Sequence, residues 1–335
     1  MAGRRASKVA SAVGLLVFTL FFAFPCAGQD KFRFLVGESS KNLSYGPLWV
    51  AAKMGFFERE ALDVPIITMR GSPLALQALT AESIYVAAAG VDALIGAYER
   101  GADLTIIGGL LNSLGLSMIA GKPYKTYADL RGTTIGTQTL TSGTGFALRL
   151  VLKAHGLEYP RDYKLLNIGG ASDRYQALTS GQISSTPVGL PLDLVARQQG
   201  FNIIGYFADD LPNFQFAGYF VKRSWAEKNR MQVVRFMKAI ASAMRWMMDN
   251  PEAACGYLSK EMTISIEHCR YAAGYNWKNR IWDRNADVNV DGVRTVIKLV
   301  AEQGILKEPL PEPTKYIDQS FLRQALAEIA KSERK

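Results

Sequence analysis

The sequence predicts an α/β protein of two similar lobes, and two observations carry that prediction. The first is an internal echo. Shifted by 99 positions, the segment 71–101 aligns without gaps on 170–200, with Gly71/Gly170, Gln77/Gln176, Ala78/Ala177, Leu79/Leu178, Thr80/Thr179, Ile84/Ile183, Gly90/Gly189, Ala97/Ala196 and Gly101/Gly200 identical. Each copy reads as helix, short apolar strand, glycine-bearing turn, helix, glycine stop and strand. The second is a run of strand-to-helix turns built from small, hydroxyl and proline residues, around Gly46-Pro47, Gly71-Ser72-Pro73, Gly90-Val91-Asp92, 141–145, 169–172 and 189–191. Strands alternating with helices of about ten residues imply parallel sheets, whose ligands bind beyond the carboxyl ends of the strands. A duplicated α/β plan places a cleft between the copies.

The elements follow in order. Lys31 to Gly37 alternates as a strand and runs into a polar loop, 38–46; Pro47 then opens a helix that Gly55 stops, the usual placement of proline at the start and glycine past the end. Val64 to Met69 is the next strand. Beyond Gly205 the repeat plan ends. The segment 206–219 reads as an aromatic loop, 218–222 as a strand, and the remainder as helices near 225–248, from Pro251, 266–274, 288–303 and 320–331. Met244, Met247 and Met248 are expected in the core.

With 335 residues and 48% apolar content the chain buries ample core. Arg4, Arg5 and Lys8 precede the apolar run 13–24 and then Pro25-Cys26-Ala27-Gly28, which is the order of a secretory signal peptide. The run is shorter than the roughly 20 residues that span a bilayer. Cleavage is expected after Ala27 or Gly28; lipidation at Cys26 is the lesser reading, because Phe24 and Pro25 suit it poorly. Loss of residues 1–28 removes three basic residues and no acidic one from the totals of 39 and 30, leaving a net charge of +6. These charges are dispersed, without the basic stripe of a nucleic-acid binder, and no nucleic-acid partner is expected. Of the remaining cysteines, Cys255 and Cys269 stand fourteen positions apart across a helix, turn and helix. In an oxidising compartment a disulfide is one reading, a pair of buried thiols the other.

No HExxH, paired CxxC, GxSxG or phosphate-loop sequence occurs, and the two histidines, His155 and His268, stand apart. His268 beside Cys269 on one helix does not face it. No catalytic residue, metal or cofactor is expected.

Several segments carry a resemblance. They are 47–57 (PLWVAAKMGFF) with Leu62-Asp63-Val64, 78–90, 127–132 (YADLRG) leading into Thr134-Ile135-Gly136, 177–182 (ALTSGQ), and in the tail Gly304-Ile305-Leu306 with Tyr316-Ile317-Asp318 and Phe321-Leu322. In these the chain resembles the type 2 periplasmic solute-binding proteins of ABC importers, in the nitrate, sulfonate and taurine group that also holds thiamine-precursor binders. The resemblance implies two lobes, each a mixed sheet flanked by helices, joined by two hinge crossings: lobe one 30–120 with 217–335, lobe two 121–216. It departs at Gly181-Gln182-Ile183-Ser184 and Glu82-Ser83-Ile84-Tyr85, where the group usually carries Gly-x-x-Asp.

Carried over by position, the resemblance puts ligand contacts at Ser39, Ser40, Asn42, Ser44 and Tyr45, at Gly71 and Ser72, and at Ala89, Gly90 and Val91. Across the cleft it puts them at Thr141, Ser142, Gly143 and Thr144, at Gly170 and Ser172, and at Val188 and Gly189, with Phe214 or Phe216 as an aromatic wall. Ser142 and Thr144 lead this set, because hydroxyls beside a helix N-terminus complete an anion's shell. Lys41 and Arg174 are candidates for pairing with a charged ligand. The implied function is a periplasmic, monomeric receptor that captures a small anionic solute, a sulfonate or carboxylate, and delivers it to the transmembrane subunits of an ABC permease. The alternatives are a thiamine-pyrimidine synthase-like enzyme on the same fold and a solute sensor.

Overall fold

The structure is a computed structural model that describes residues 31–140 and 142–334. The expected signal peptide, with Cys26, and Thr141 lie outside them. Twelve strands follow in chain order: β1 Phe32–Arg33, β2 Val36–Glu38, β3 Leu62–Asp63, β4 Ile66–Thr68, β5 Val86–Gly90, β6 Leu104–Leu111, β7 Leu116–Ala120, β8 Thr134–Thr137, β9 Lys164–Asn167, β10 Ser185–Gly189, β11 Asn202–Tyr206 and β12 Ala217–Lys222. The single strand expected at 31–37 is broken in two, and β1 pairs with β3 outside the main sheets.

Two five-stranded mixed sheets have one plan. The first runs β4-β2-β5-β12-β6 and the second β9-β8-β10-β7-β11. In each, three parallel strands are followed by one antiparallel strand, and the outer strand beyond it runs in the direction of the first three. The echo is structural. Helix Ser72–Thr80 and strand β5 recur 99 positions on, bound for bound, as helix Ala171–Thr179 and strand β10. The antiparallel strand next to the parallel set comes in each case from the other half of the chain. β7 leaves the first sheet after β6 to join the second, and β12 returns from the second to the first. These are the two crossings of a two-lobed type 2 periplasmic-binding fold. Residues 116–120 are those that the resemblance puts at the end of the first segment of lobe one. They pair with β10 and β11 in the second sheet, because the chain crosses at Asn112 to Gly115, within an otherwise continuous apolar run.

The C-terminal helices cover the first sheet. Helix Arg230–Asp249 buries Val233, Phe236, Met237, Ile240, Met244 and Met247 against it. The ring of Phe236 stacks between Phe34 and Phe57 at centroid separations of 5.2 and 5.4 Å. Each such fully buried side chain contributes about 1.5–3 kcal/mol of transfer free energy. Met248, expected in the core with its neighbours, is 45% exposed, since one further residue turns the helix by 100° away from that face. The sulfurs of Cys255 and Cys269 are bonded, with the Cα atoms 5.6 Å apart, so helices Pro251–Glu261 and Ile266–Lys278 are stapled. The second helix reaches the other sheet. Tyr271 donates to Asp193 (3.0 Å), which also accepts from Ser117 on β7 (2.7 Å), and the hydroxyls of Tyr271 and Tyr206 lie 3.2 Å apart.

Candidate functional site

The parallel strands of both sheets deliver their carboxyl ends to one cleft of about 1230 Å³. From the first sheet it is lined by Ser39, Ser40, Asn42 and Tyr45 after β2, Gly71 and Ser72 after β4, and Gly90 and Asp92 after β5. From the second it is lined by Gln138, Thr139, Ser142, Gly143 and Thr144 after β8, and by Gly170, Ala171 and Arg174 after β9. Phe216, at the return crossing, supplies an aromatic face. A branch of the cleft runs out past Arg100 to Ile305.

The turns are fixed by local chemistry. Asn42 caps the short helix Leu43–Tyr45, its side-chain oxygen accepting from the Ser44 N–H at 2.9 Å. The Gly90 N–H donates to the Ser72 hydroxyl (2.9 Å), tying two of the first-sheet turns together. The Ser142 hydroxyl accepts from the Gly145 N–H (3.1 Å) and donates to the Thr139 carbonyl (3.0 Å), so it caps helix Gly143–Ala154. Gly145 is required there: a Cβ on it would lie 2.1 Å from the Thr139 oxygen. Tyr45 is buried and its hydroxyl lies 2.7 Å from that of Ser39; burial, with Glu38 and Asp92 nearby, pushes its pKa up to about 12.

The structure sets seven of the expected residues off the cleft wall. Ala89, Val91 and Val188 are buried in the strands and the first helix turn, where their side chains fill core. Ser44 is held in the capped turn, and its carbonyl accepts from the Trp282 ring nitrogen (3.0 Å). Ser172 is exposed, and Gly189 lies at the end of β10 without lining the cleft. Phe214, 1% exposed, packs in the core, leaving Phe216 as the wall. Lys41 pairs with Glu261 and sits 4.1 Å over the ring of Trp49, away from the cleft.

Besides the exposed Arg100 in the outer branch, two groups carry charge on the cleft wall. Arg174 is 5% exposed and donates to the Thr186 hydroxyl (3.1 Å), the Pro187 carbonyl (3.1 Å) and the Gly169 carbonyl. That uses three of its five N–H donors. Asp173 exerts a field on it, but no carboxylate of the described residues lies within 4 Å, and burial lowers its pKa to about 10. The arginine is a buried cation with two donors free. Asp92 was not singled out by sequence as a ligand contact, because an acid in the first turn of a helix reads as a complement to the helix dipole. Its carboxyl accepts from the backbone N–H groups of Ala93 and Gly143 and from its own, while burial raises its pKa. The N-terminus of helix Gly143–Ala154, expected to seat an anion, thus already faces a carboxylate of the protein.

Glu38, fully buried at the end of β2, accepts from Thr68 (2.7 Å) and Trp49 (2.9 Å). Burial raises its pKa, against which those two bonds and Lys41 act. A carboxyl raised in the folded state holds its proton where the unfolded chain, with a value of about 4.3, has lost it. Its contribution to stability is present below that value and lost as pH rises through the folded one. Wild type is therefore expected to lose stability relative to Glu38→Gln between pH 4 and pH 7, measured by urea unfolding; a difference moving in wild type's favour over that range would contradict the assignment.

The model of the family described as "NMT1/THI5 like" matches residues 42–254. Among curated relatives, YtlA of Bacillus subtilis, named as a candidate binding protein, is 24% identical over 237 residues, 69% of this chain and 71% of its own. Among solved structures, the fold matches the periplasmic aliphatic sulphonate-binding protein SsuA from Escherichia coli with a TM-score of 0.68 at 19% identity, covering 88% of this chain and 99% of that one. It matches the periplasmic nitrate-binding protein NrtA from Synechocystis PCC 6803 with a TM-score of 0.72 at 17% identity, covering 89% of each. With the family model covering well over half of its length, the chain belongs to the NMT1/THI5-like family.

Proposed function

We propose that the protein is a solute-binding receptor that holds a small organic anion in the cleft and passes it to the transmembrane subunits of an ABC permease, working in the periplasm as a monomer. The observation that carries the reading is Arg174: a buried guanidinium on the cleft wall, with two N–H donors free and no carboxylate within 4 Å among the described residues. A carboxylate or sulfonate is the planar or trigonal acceptor that such a fork recognises. The turn at Gly170, the Thr144 hydroxyl and the polar loop Ser39–Tyr45 complete the cage, with Phe216 against the carbon skeleton. Lobe one comprises 31–115 and 217–334 and lobe two the described residues of 116–216, and the lobes close on the solute by bending at the two crossings.

Closure stabilises the folded state by the ligand's binding free energy, about 2.7 kcal/mol at one hundred times the dissociation constant. A thermal-shift screen of the protein against alkanesulfonates, aliphatic and aromatic carboxylates and nitrate is expected to give a saturable upward shift with an organic anion. No shift from any anion, in a sample shown by mass spectrometry to carry no co-purified ligand, would contradict the receptor reading.

A further inference from the structure

A buried carboxylate in the second lobe takes one of its hydrogen bonds from the first. Asp193, in the first turn of helix Leu192–Gln198, is fully buried, and its Oδ2 accepts from two hydroxyls: that of Ser117 on β7 at 2.7 Å and that of Tyr271 at 3.0 Å. Its Oδ1 accepts from the Leu194 N–H at 2.8 Å. Ser117 and Leu194 belong to the same lobe as the carboxylate, and Tyr271 does not. With the Tyr271 proton given to Asp193, the Tyr206 hydroxyl at the end of β11 donates to Tyr271 across the same seam (3.2 Å).

Tyr271 is anchored on the side of the first sheet. Its helix, Ile266–Lys278, is bonded through Cys269 to Cys255 on helix Pro251–Glu261. That helix is fixed in turn, because Leu258 packs on Gly46, where a Cβ would lie 3.1 Å from it, and Glu261 pairs with Lys41. Just past the second helix, Trp282 donates to the Ser44 carbonyl (3.0 Å). Bending at the two crossings therefore displaces Asp193 and Tyr206 relative to Tyr271. A buried carboxylate is stable only while its donors stay in place, so this displacement is opposed. None of Ser117, Asp193, Tyr206 and Tyr271 lines the cleft, and their effect falls on the position of the lobes instead of on contact with a solute.

Resting on the two-lobed closure of the receptor reading, we propose that Tyr271 is a positioning residue: its hydrogen bond to Asp193 is a latch between the lobes, made in the closed arrangement and lost on opening, and it sets the balance between the two. The disulfide-stapled pair of helices is the rigid arm that carries the latch.

Small-angle X-ray scattering of the purified protein, shown by mass spectrometry to be free of solute, tests this, each curve being fitted as a mixture of the described structure and one opened at the two crossings. Tyr271→Phe is expected to raise the open-to-closed ratio about tenfold or more over wild type, the worth of a hydrogen bond to a charged group. Ser117→Ala removes a hydroxyl from the same carboxylate oxygen but within one lobe. It is expected to lower the melting temperature and to leave the ratio within about twofold of wild type. Tyr206→Phe is expected to move the ratio in the same direction as Tyr271→Phe by a smaller factor, and it serves as the probe if circular dichroism shows that Tyr271→Phe does not fold. A ratio unchanged by the tyrosine variants would overturn the inference. A ratio raised equally by Ser117→Ala would also overturn it, assigning Asp193 to the packing of the second lobe alone. Since the scattering is recorded without solute, a failed anion screen counts against the receptor reading, and the latch stands or falls on the scattering.

Discussion

Replacing Arg174 by Met is expected to weaken solute binding by a factor of about 30 to several thousand, corresponding to the 2–5 kcal/mol lost when one member of a buried charge pair is truncated. The expectation follows from its surroundings. The guanidinium is 95% buried and held from behind by the Thr186 hydroxyl and the Pro187 and Gly169 carbonyls, so its remaining donors are pre-oriented and little side-chain entropy remains to be lost on binding. Arg174→Lys keeps the charge but not the fork and is expected to recover only part of the affinity. Titration calorimetry measures the loss, and circular dichroism with thermal unfolding shows that the fold persists. Binding unchanged in a folded Arg174→Met protein would remove the arginine from the site.

Breaking the Cys255–Cys269 disulfide is expected to cost about 3 kcal/mol, the value for a closed loop of about fifteen residues. The consequence extends beyond the stapled helices. Helix Ile266–Lys278 carries Tyr271, which donates to Asp193 of the second sheet's layer and lies against Tyr206, so loosening it also loosens a contact between the two halves. The double variant Cys255→Ser/Cys269→Ser is expected to unfold about 5 °C lower than wild type in a calorimetric scan. An unchanged melting temperature, with alkylation confirming that the wild-type cysteines are oxidised, would contradict this.

The repeat made the fold legible because local patterning repeats with it. Residues 77–80 and 176–179 carry the same Gln-Ala-Leu-Thr helix end, and the strands after them end at Gly90 and Gly189. What local patterning does not carry is the choice of partner strand. β7 follows β6 after a short link and shares its apolar character, so nothing in residues 104–120 announces that the last five pair in the other sheet. The site shows the same division. The turn residues Ser39, Ser40, Asn42, Gly71, Ser72, Ser142, Gly143 and Gly170, named through the resemblance at turns that follow expected strands, line the cleft. The separation of Phe214 from Phe216 could not, because both precede β12 in irregular backbone where alternation gives no guide. Nor could the meeting of Asp92 with Gly143, which are 51 positions apart and brought together by the approach of two helix starts from different sheets. Sequence gave Arg174 as a charge candidate; its burial without a counter-ion emerges only when Thr186 and Pro187 of β10 fold beneath it.

The most direct test of the central claim is a crystal structure of the protein with the organic anion that gives the largest thermal shift. The account predicts the solute between the two sheets, with its anionic oxygens about 3 Å from the free N–H groups of Arg174 and its skeleton against Phe216. A solute held outside this cleft, or inside it with the anionic group remote from Arg174, would contradict it.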